Sequence, residues 1–433
     1  AQGHTEMPRR GWTPVTVPGA PGAWAQLSRR FGSLPLTKVL QRAISYARDG
    51  FAVSAAVAYH WNRAYEKLKP LASDPLFTPW FETFTDNGSA IKAGQLWSSP
   101  GHARTLQEIA ESDAKSFYEG NLAERIDAFS RAHGGALRLA DLRRFTPEWV
   151  PPISVSYRDH QVWEIPPNGQ GIAALSALQM LEGFEPDTLA CHQAIEATKL
   201  AMSDAAAHVT DKRYMHVGPE AILNPEYARK QRSRIGDRAC MPTPGEPQRG
   251  GTVYLATADD QGNMVSFIQS NYEGFGSGVV IPGTGIAMQN RGCNFSLDPD
   301  HVNRLEPLKR PYHTIIPGFL TKGSEAVGPF GVMGGFNQPQ AHVQVVMNLV
   351  DRTMDPQAAL DAPRWRWMTG NQVLVEPHFP SEVVKDLIRR GHEVTVTHEA
   401  GEFGRGQIIC SDRESGTLIG GSDTRCDGSA AAW

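Results

Sequence analysis

The chain has 433 residues, 40% hydrophobic and 20% charged, with 42 Gly and 31 Pro. This is ordinary globular composition, with length enough for a large core or two domains. Basic and acidic residues are well mixed, 42 against 46, for a formal net charge of −4. No basic stripe points to nucleic acid or to an anionic membrane, and no apolar run reaches transmembrane length.

In chain order, the first elements predicted are helices in "GAWAQLSRRFG" and "LTKVLQRAISYARDG", each closed by a glycine at a C′ position. In "LAERIDAFSRAHGG", Leu122, Ile126 and Phe129 fall on one helical face. "ISVSYRDHQVWEIPP" reads as two strands and "GIAALSALQMLEG" as a buried helix closed by Gly183. A helix carrying "ATKLAMSDAAAHV" leads to the loop "CMPTPGEPQRGG". From Thr252 the chain turns strand-rich. Helices return at "QAHVQVVMNLVD", at "DPQAALDA" with Asp355 as N-cap and Pro356 at N1, and at "SEVVKDLIRRG". Helices, strands, then helices again suggest sheets layered between helices. No internal repeat is present.

Five cysteines (Cys191, Cys240, Cys293, Cys410, Cys426) are scattered without a CxxC pair. A zinc or redox motif is disfavoured, and an odd count over a long chain fits reduced thiols, favouring the cytoplasm over the periplasm. The opening "AQGHTEMPRRGW" has neither an initiator Met nor a signal-peptide apolar core. It is expected to belong to a truncated or processed product.

Little conventional catalytic punctuation is present. The histidines form no HxxxH or HExxH pair, and there is no GxSxG elbow and no Walker lysine. The glycines of "EGFGSGVV" (Gly274, Gly276, Gly278) follow a strand without opening a helix, so tight backbone turning is the better reading. In "GPFGVMGGFNQPQAHVQVV", Gly334 and Gly335 stand between an apolar segment and a helix, where small residues leave backbone N–H groups free to bind an anion. "GEPQRGGTVYLATADDQGNMVSFIQSN" sets Gly250 and Gly251 against Thr252, the head of a hairpin that turns through Asp259–Asn263. Taken alone, two glycines there ease a turn into a core strand.

Together these stretches resemble the γ-glutamyltransferase family of N-terminal-nucleophile hydrolases, and within it the branch of cephalosporin (glutaryl) acylases and oxamate amidohydrolase. The resemblance spans nearly the whole chain. It runs through "SFYEGNLAERI", "LADLRRF" and "PPNGQGIAAL" before Thr252. After it come "GFGSGVVIPGTGIAMQNRG", "LKRPYHTIIP", "MGGFNQPQ", "DAPRW" and the ending "GGSDTRCDGSAAAW". It implies that the precursor cuts itself between Gly251 and Thr252. A threonine hydroxyl is a poor nucleophile until a base takes its proton, and a freed α-amine titrates at about 8. The cut therefore creates the base beside the hydroxyl, and Gly251 offers no side chain to obstruct attack on its own carbonyl. By resemblance Ser270 orients the nucleophile and Gly334 and Gly335 form the oxyanion hole. For Ser270 the plainer alternative is a solvent-facing strand serine.

The specificity positions depart from the transpeptidases. Tyr272 stands where they have an Asn that contacts the glutamyl group, and Asn294 replaces the Asp that pairs with the substrate α-ammonium. Arg291 stands for a Gln, and His313 and Thr314 for two serines that bind the α-carboxylate. Without an anionic partner a buried ammonium is costly, so an acyl group with a carboxylate but no α-amine fits better. Arg291 either faces the pocket and attracts a carboxylate or is a structural arginine paired with an acidic residue. Only "LDPDHVNRLEPL" separates Ser296 from Lys309, shorter than a lid-bearing segment, which favours hydrolysis over transfer. The carboxylate-anchoring arginine of the family falls in an N-terminal region this chain is expected to lack.

The expectation is thus an α+β fold, the four-layer αββα sandwich of N-terminal-nucleophile hydrolases. Segments 1–251 and 252–433 would be the large and small parts of one intertwined domain, associating as a heterodimer after cleavage, with a dimer of heterodimers as the next level. The activity would be hydrolysis of a glutaryl- or oxamate-like amide through a threonyl acyl-enzyme, with no metal and no organic cofactor, no nucleic acid and no membrane. One rival is a γ-glutamyltransferase or glutathione hydrolase tolerant of Asn294. The other is an uncleaved, non-catalytic binding module, which would have no need of Thr252, Ser270 and the Gly-Gly pair.

Overall fold

The protein is described by a computed structural model covering residues 3–186, 191–242, 251–412 and 414–433. The chain forms two compact units, Ala1–Trp149 with Asn271–Asn294 and Val150–Ser270 with Phe295–Trp433. These units do not follow the boundary at Thr252. Each draws on residues from both sides of it.

The first unit is helical. "GAWAQLSRRFG" becomes Ala20–Phe31, and "LTKVLQRAISYARDG" splits into Leu36–Val39 and Gln41–Asp49. The two closing glycines differ: Gly50 is left-handed at φ +93°, whereas Gly32 is extended at φ −74°. Helix Asn121–Ala132 buries Leu122 and Ile126 and packs Phe129 at the core edge, as the spacing predicts. One cluster joins these to Trp12, Phe117, Leu142, Val279 and Met288; a second gathers Trp61, Trp80 and Phe84. A short antiparallel pair, β1 (Phe51–Ala52) and β2 (Leu96–Trp97), completes it. Gly274, Gly276 and Gly278 all have positive φ (49°, 63° and 78°), so "EGFGSGVV" is a chain of tight turns.

The second unit holds the other strands: β3 (Ile153–Tyr157), β4 (His160–Glu164), β5 (Gly251–Ala258), β6 (Met264–Tyr272), β7 (Gly318–Lys322), β8 (Glu325–Met333), β9 (Trp365–Thr369), β10 (Gln372–Val375), β11 (Glu393–Val396), β12 (Arg405–Ser411) and β13 (Leu418–Ser422). The last two residues of β6 already count with the first unit. A 6-stranded antiparallel sheet runs β13-β12-β8-β7-β4-β3. β5 and β6 pair separately as the predicted hairpin, and β9, β10 and β11 form a third sheet.

Strand alternation places the layers. On β8, Phe330 points to the helix Gln338–Val350, with its ring 4.9 Å from His342. The next residue, Gly331, faces the hairpin so closely that a Cβ there would lie 2.5 Å from the Tyr254 ring. Helices thus cover one face of the sheet and the hairpin covers the other. The helical face is packed by Gly171–Leu181 and Cys191–His208, in which Leu175, Leu178 and Ile195 are fully buried. Each such side chain contributes about 1.5–3 kcal/mol on burial. Asp355 caps Pro356–Asp361 through Ala358 N at 2.9 Å, and Ser381–Arg389 forms as expected. The architecture is α+β. Among the described residues no helix is long and apolar enough to cross a membrane, and the five cysteines are free thiols.

Candidate active site

The hairpin brings Thr252 and Ser270 together. Thr252 lies second on β5 and Ser270 seventh on β6, both half-buried, and Thr252 Oγ1 donates to Ser270 Oγ at 3.0 Å. Gly251 opens β5 directly before Thr252; Gly250 and the rest of 243–250 lie outside the described residues. Ser270 is therefore aimed at the threonine hydroxyl and is not merely a solvent-facing serine. Removing that acceptor in Ser270→Ala is expected to lower kcat about tenfold, the scale of one orienting hydrogen bond, with KM within about twofold. Steady-state kinetics on processed protein checks this. An unchanged kcat would deny Ser270 the role.

Gly334 and Gly335 follow the end of β8 and precede the helix Gln338–Val350 through the short turn Gly335–Asn337. Gly335 has φ +63°, a left-handed conformation that costs any residue with a Cβ. Their amides lie ahead of the first helical turn, where a helix leaves N–H groups without intrahelical acceptors. The strand entering this turn is held from below. Val332 N donates to His342 Nε2 at 3.1 Å, and His342 Nδ1 meets buried Glu164 Oε1 at 2.6 Å.

His313 and Thr314 lie in the same unit, Thr314 fully buried and His313 half-buried. His313 N donates to Asn168 O at 2.8 Å, and Gln170 N donates to His313 O at 3.0 Å. The Gln170 side chain, which sequence reasoning passed over inside "PPNGQGIAAL", donates to Thr314 O at 2.7 Å and to Gly335 O at 2.8 Å. Its only sequence signal is a polar residue placed directly before a largely apolar helix.

The other three positions lie in the first unit. Tyr272 is fully buried, with φ +73°, a strained backbone for an aromatic residue and one that Asn tolerates more readily. Arg291 is 3% exposed and stacks its guanidinium on the Tyr272 ring, Cζ 4.4 Å from the centroid. Burial pulls the Arg291 guanidinium down to about 10 and pushes the Tyr272 hydroxyl and the Cys293 thiol up, the latter to about 12. Asn294, half-buried, ends the turn Arg291–Asn294, which Gly292 N anchors to Pro14 O at 2.8 Å.

A buried cluster away from Thr252 in sequence also combines ligand-type residues. His192 Nδ1 lies 2.9 Å from His392 Nε2, and Glu196 Oε1 lies 3.7 Å from His392 Nε2. Lys199 Nζ sits 2.7 Å from the same Glu196 oxygen, and Cys240 Sγ donates to Glu196 Oε2 at 2.6 Å. The lysine neutralises the carboxylate and would repel a dication, so the cluster reads as a hydrogen-bonded structural network. Burial holds His392 down to about 4 and raises the Cys240 thiol to about 11.

Comparison with known proteins matches residues 1–433 to the family described as Gamma-glutamyltranspeptidase. The chain belongs to the γ-glutamyltranspeptidase family. It is similar to the glutathione hydrolase-like YwrD proenzyme of Bacillus subtilis, 36% identical over 99% of this chain and 83% of that one. It is also similar to the oxamate amidohydrolase proenzyme of Klebsiella pneumoniae, 33% identical over 100% of this chain and 83% of that one. Among solved structures, the cephalosporin acylase from Bacillus halodurans superimposes with a TM-score of 0.97 at 56% identity, covering 100% of this chain and 81% of that one. The chain is accordingly an amidohydrolase of the γ-glutamyltranspeptidase family, and its relatives include the acylase and oxamate amidohydrolase branch that the sequence blocks resemble.

Proposed function

We propose that this protein is a self-processing amidohydrolase that cleaves amides of small dicarboxylic acids lacking an α-amine, glutaryl- or oxamate-like, through a threonyl acyl-enzyme. The observation that carries the reading is the Thr252–Ser270 hydroxyl pair at the head of a strand preceded by glycine. After a cut at Gly251–Thr252, the α-amine of Thr252 takes the hydroxyl proton as Oγ1 attacks the acyl carbonyl. The tetrahedral oxyanion is held by the Gly334 and Gly335 amides. The C–N bond then breaks, the amine leaves with the proton, and water hydrolyses the threonyl ester by the same steps. No metal or organic cofactor is invoked.

Relatives named as proenzymes support the self-cut. Segments 1–251 and 252–433 would stay together as a heterodimer, because β4 of the first pairs with β7 of the second in one sheet. The sheet with helices on one face and the hairpin on the other supplies three layers of an αββα sandwich. The relative named oxamate amidohydrolase supports an amine-free acyl group, and the neighbour named cephalosporin acylase supports acyl-amide cleavage. The 36% identical relative named glutathione hydrolase-like favours the second reading, hydrolysis of γ-glutamyl amides.

Asn294 decides between the two readings. Its amide offers no negative charge to offset desolvation of an ammonium. Wild type is expected to show the higher kcat/KM on glutaryl-p-nitroanilide. Asn294→Asp should move the ratio about tenfold toward γ-glutamyl-p-nitroanilide, the scale of a partly screened charge pair. A wild-type preference for the γ-glutamyl compound, unmoved by Asn294→Asp, hands the assignment to the glutathione-hydrolase reading.

A further inference from the structure

We infer that Gln170 is the positioning residue that ties the oxyanion turn to the His313–Thr314 segment, so that one buried side chain sets the geometry of both. The inference rests on the reading of Thr252 as nucleophile and of Gly334–Gly335 as oxyanion hole.

Gln170 is fully buried at the N-cap of the helix Gly171–Leu181. Both polar atoms of its carboxamide are hydrogen-bonded. Nε2 spends one hydrogen on Thr314 O at 2.7 Å and the other on Gly335 O at 2.8 Å, while Oε1 accepts from Tyr312 Oη at 3.3 Å. With two carbonyl oxygens facing the NH2 group, only this orientation of the amide satisfies every partner. The backbone adds a further link, Gln170 N to His313 O at 3.0 Å. The two tethered segments also meet directly: Tyr312 stacks on Phe336 at 5.5 Å, and Ile316 N donates to Gln338 Oε1 at 3.1 Å.

The chemistry of the position is specific. Gly335 is the most conformationally permissive residue type, and its φ of +63° must persist for its amide to point at a developing oxyanion. A bond to its carbonyl removes freedom at the Cα that carries that amide. Thr314 takes its carbonyl bond from the same nitrogen, so a shift of either segment strains the other. Glutamate would keep the shape but present oxygen to both carbonyls. Methionine would keep the volume and remove every side-chain hydrogen bond while leaving the backbone link to His313 O.

The test uses Gln170→Met and Gln170→Glu in the full chain, with Tm, active-site titration, steady-state kinetics and hydrogen exchange. With the side-chain tether to both segments removed, kcat is expected to fall and KM to rise together. The loss in kcat/KM per titrated site should be about tenfold for Met and about a hundredfold for Glu, as for displaced oxyanion donors. Peptides covering 312–316 and 331–338 should lose exchange protection in both variants, and other peptides should not. A residue that only supports folding would lower Tm and yield and leave kcat and KM per titrated site alone. Unchanged protection, or lost protection with kcat/KM within about twofold of wild type, overturns the inference. Exchange reads the tether whatever the substrate, and a wild type that prefers γ-glutamyl amides allows the same kinetic comparison on that substrate. Failure of the substrate reading and failure of Gln170 are thereby told apart.

Discussion

Thr252→Ala is expected to give a single uncut chain with no measurable turnover. Wild type should yield two fragments by denaturing mass spectrometry, the smaller beginning at Thr252. On the proposed mechanism the substitution removes the attacking oxygen and, because the same oxygen would make the cut, prevents release of the α-amine that would serve as base. Nucleophile and base are lost together, and the drop is expected to approach the millionfold scale on which hydrolases lose their nucleophile. Stability should barely change. Thr252 is half-buried and forfeits one hydrogen bond, to Ser270 at 3.0 Å, worth about 1 kcal/mol. Thr252→Ser keeps a hydroxyl and an amine and is expected to cut and turn over within about tenfold of wild type. Near-wild-type turnover by Thr252→Ala, or full activity from an intact chain, would remove Thr252 from the mechanism.

The parts of the fold legible in the sequence are those ruled by local periodicity and turn chemistry. The hairpin around Thr252 could be read because Asp259–Asn263 is turn-rich and flanked by β-prone residues, and Asp259 N does meet Asn263 O across the turn at 3.0 Å. The buried helix at 171–181 announced itself by an apolar run and Asp355-Pro356 by cap chemistry, whereas the burial of 191–208 carried no such signal because its charged and polar residues interrupt every apolar stretch. The break between Leu36–Val39 and Gln41–Asp49 did not announce itself either, since no glycine or proline marks it. Nor did the two compact units, because residues 271–294 join 1–149 through contacts far apart in the chain, such as Gly292 with Pro14.

The site shows the same division. Thr252, Ser270 and the Gly-Gly turn stand out by residue type and by the blocks around them. Arg291 and Tyr272 were legible as departures, but their stacking at 4.4 Å was not, since a cation over a ring leaves no spacing signature. Gln170 was invisible because its role lies in carbonyls at 314 and 335, which any sequence would carry. Some of the most recognisable blocks are structural. The arginine of "DAPRW", Arg364, and the aspartate of "GGSDTRCDG", Asp423, form a buried pair at 2.7 Å, and Asp423 also accepts from Gly406 N at 2.9 Å. Such a pair costs several kcal/mol to break from one side, which is reason enough for both residues without any part in the chemistry.

Gly335→Ala is expected to lower kcat about a hundredfold, the scale of a lost oxyanion donor, while costing only about 1–2 kcal/mol of stability. The two effects have one origin. At φ +63° a Cβ is disfavoured, so alanine pulls the backbone toward negative φ and turns the amide away from the proposed oxyanion position. Strain alone could mimic a loss of activity by unfolding the protein, and Gly416 controls for that. It has φ +71° with open space around a would-be Cβ, in an exposed turn whose Gly416 N meets Asp412 O at 2.9 Å. Gly416→Ala carries the same backbone cost with no amide at the proposed site. The pair should therefore show similar losses in Tm and very different losses in kcat. Because ground-state binding does not use the oxyanion contact, KM should move little in Gly335→Ala. Thermal melts and kinetics on both variants decide the matter. Equal kcat values at equal Tm would show that the left-handed turn at Gly335 serves the fold and not the transition state.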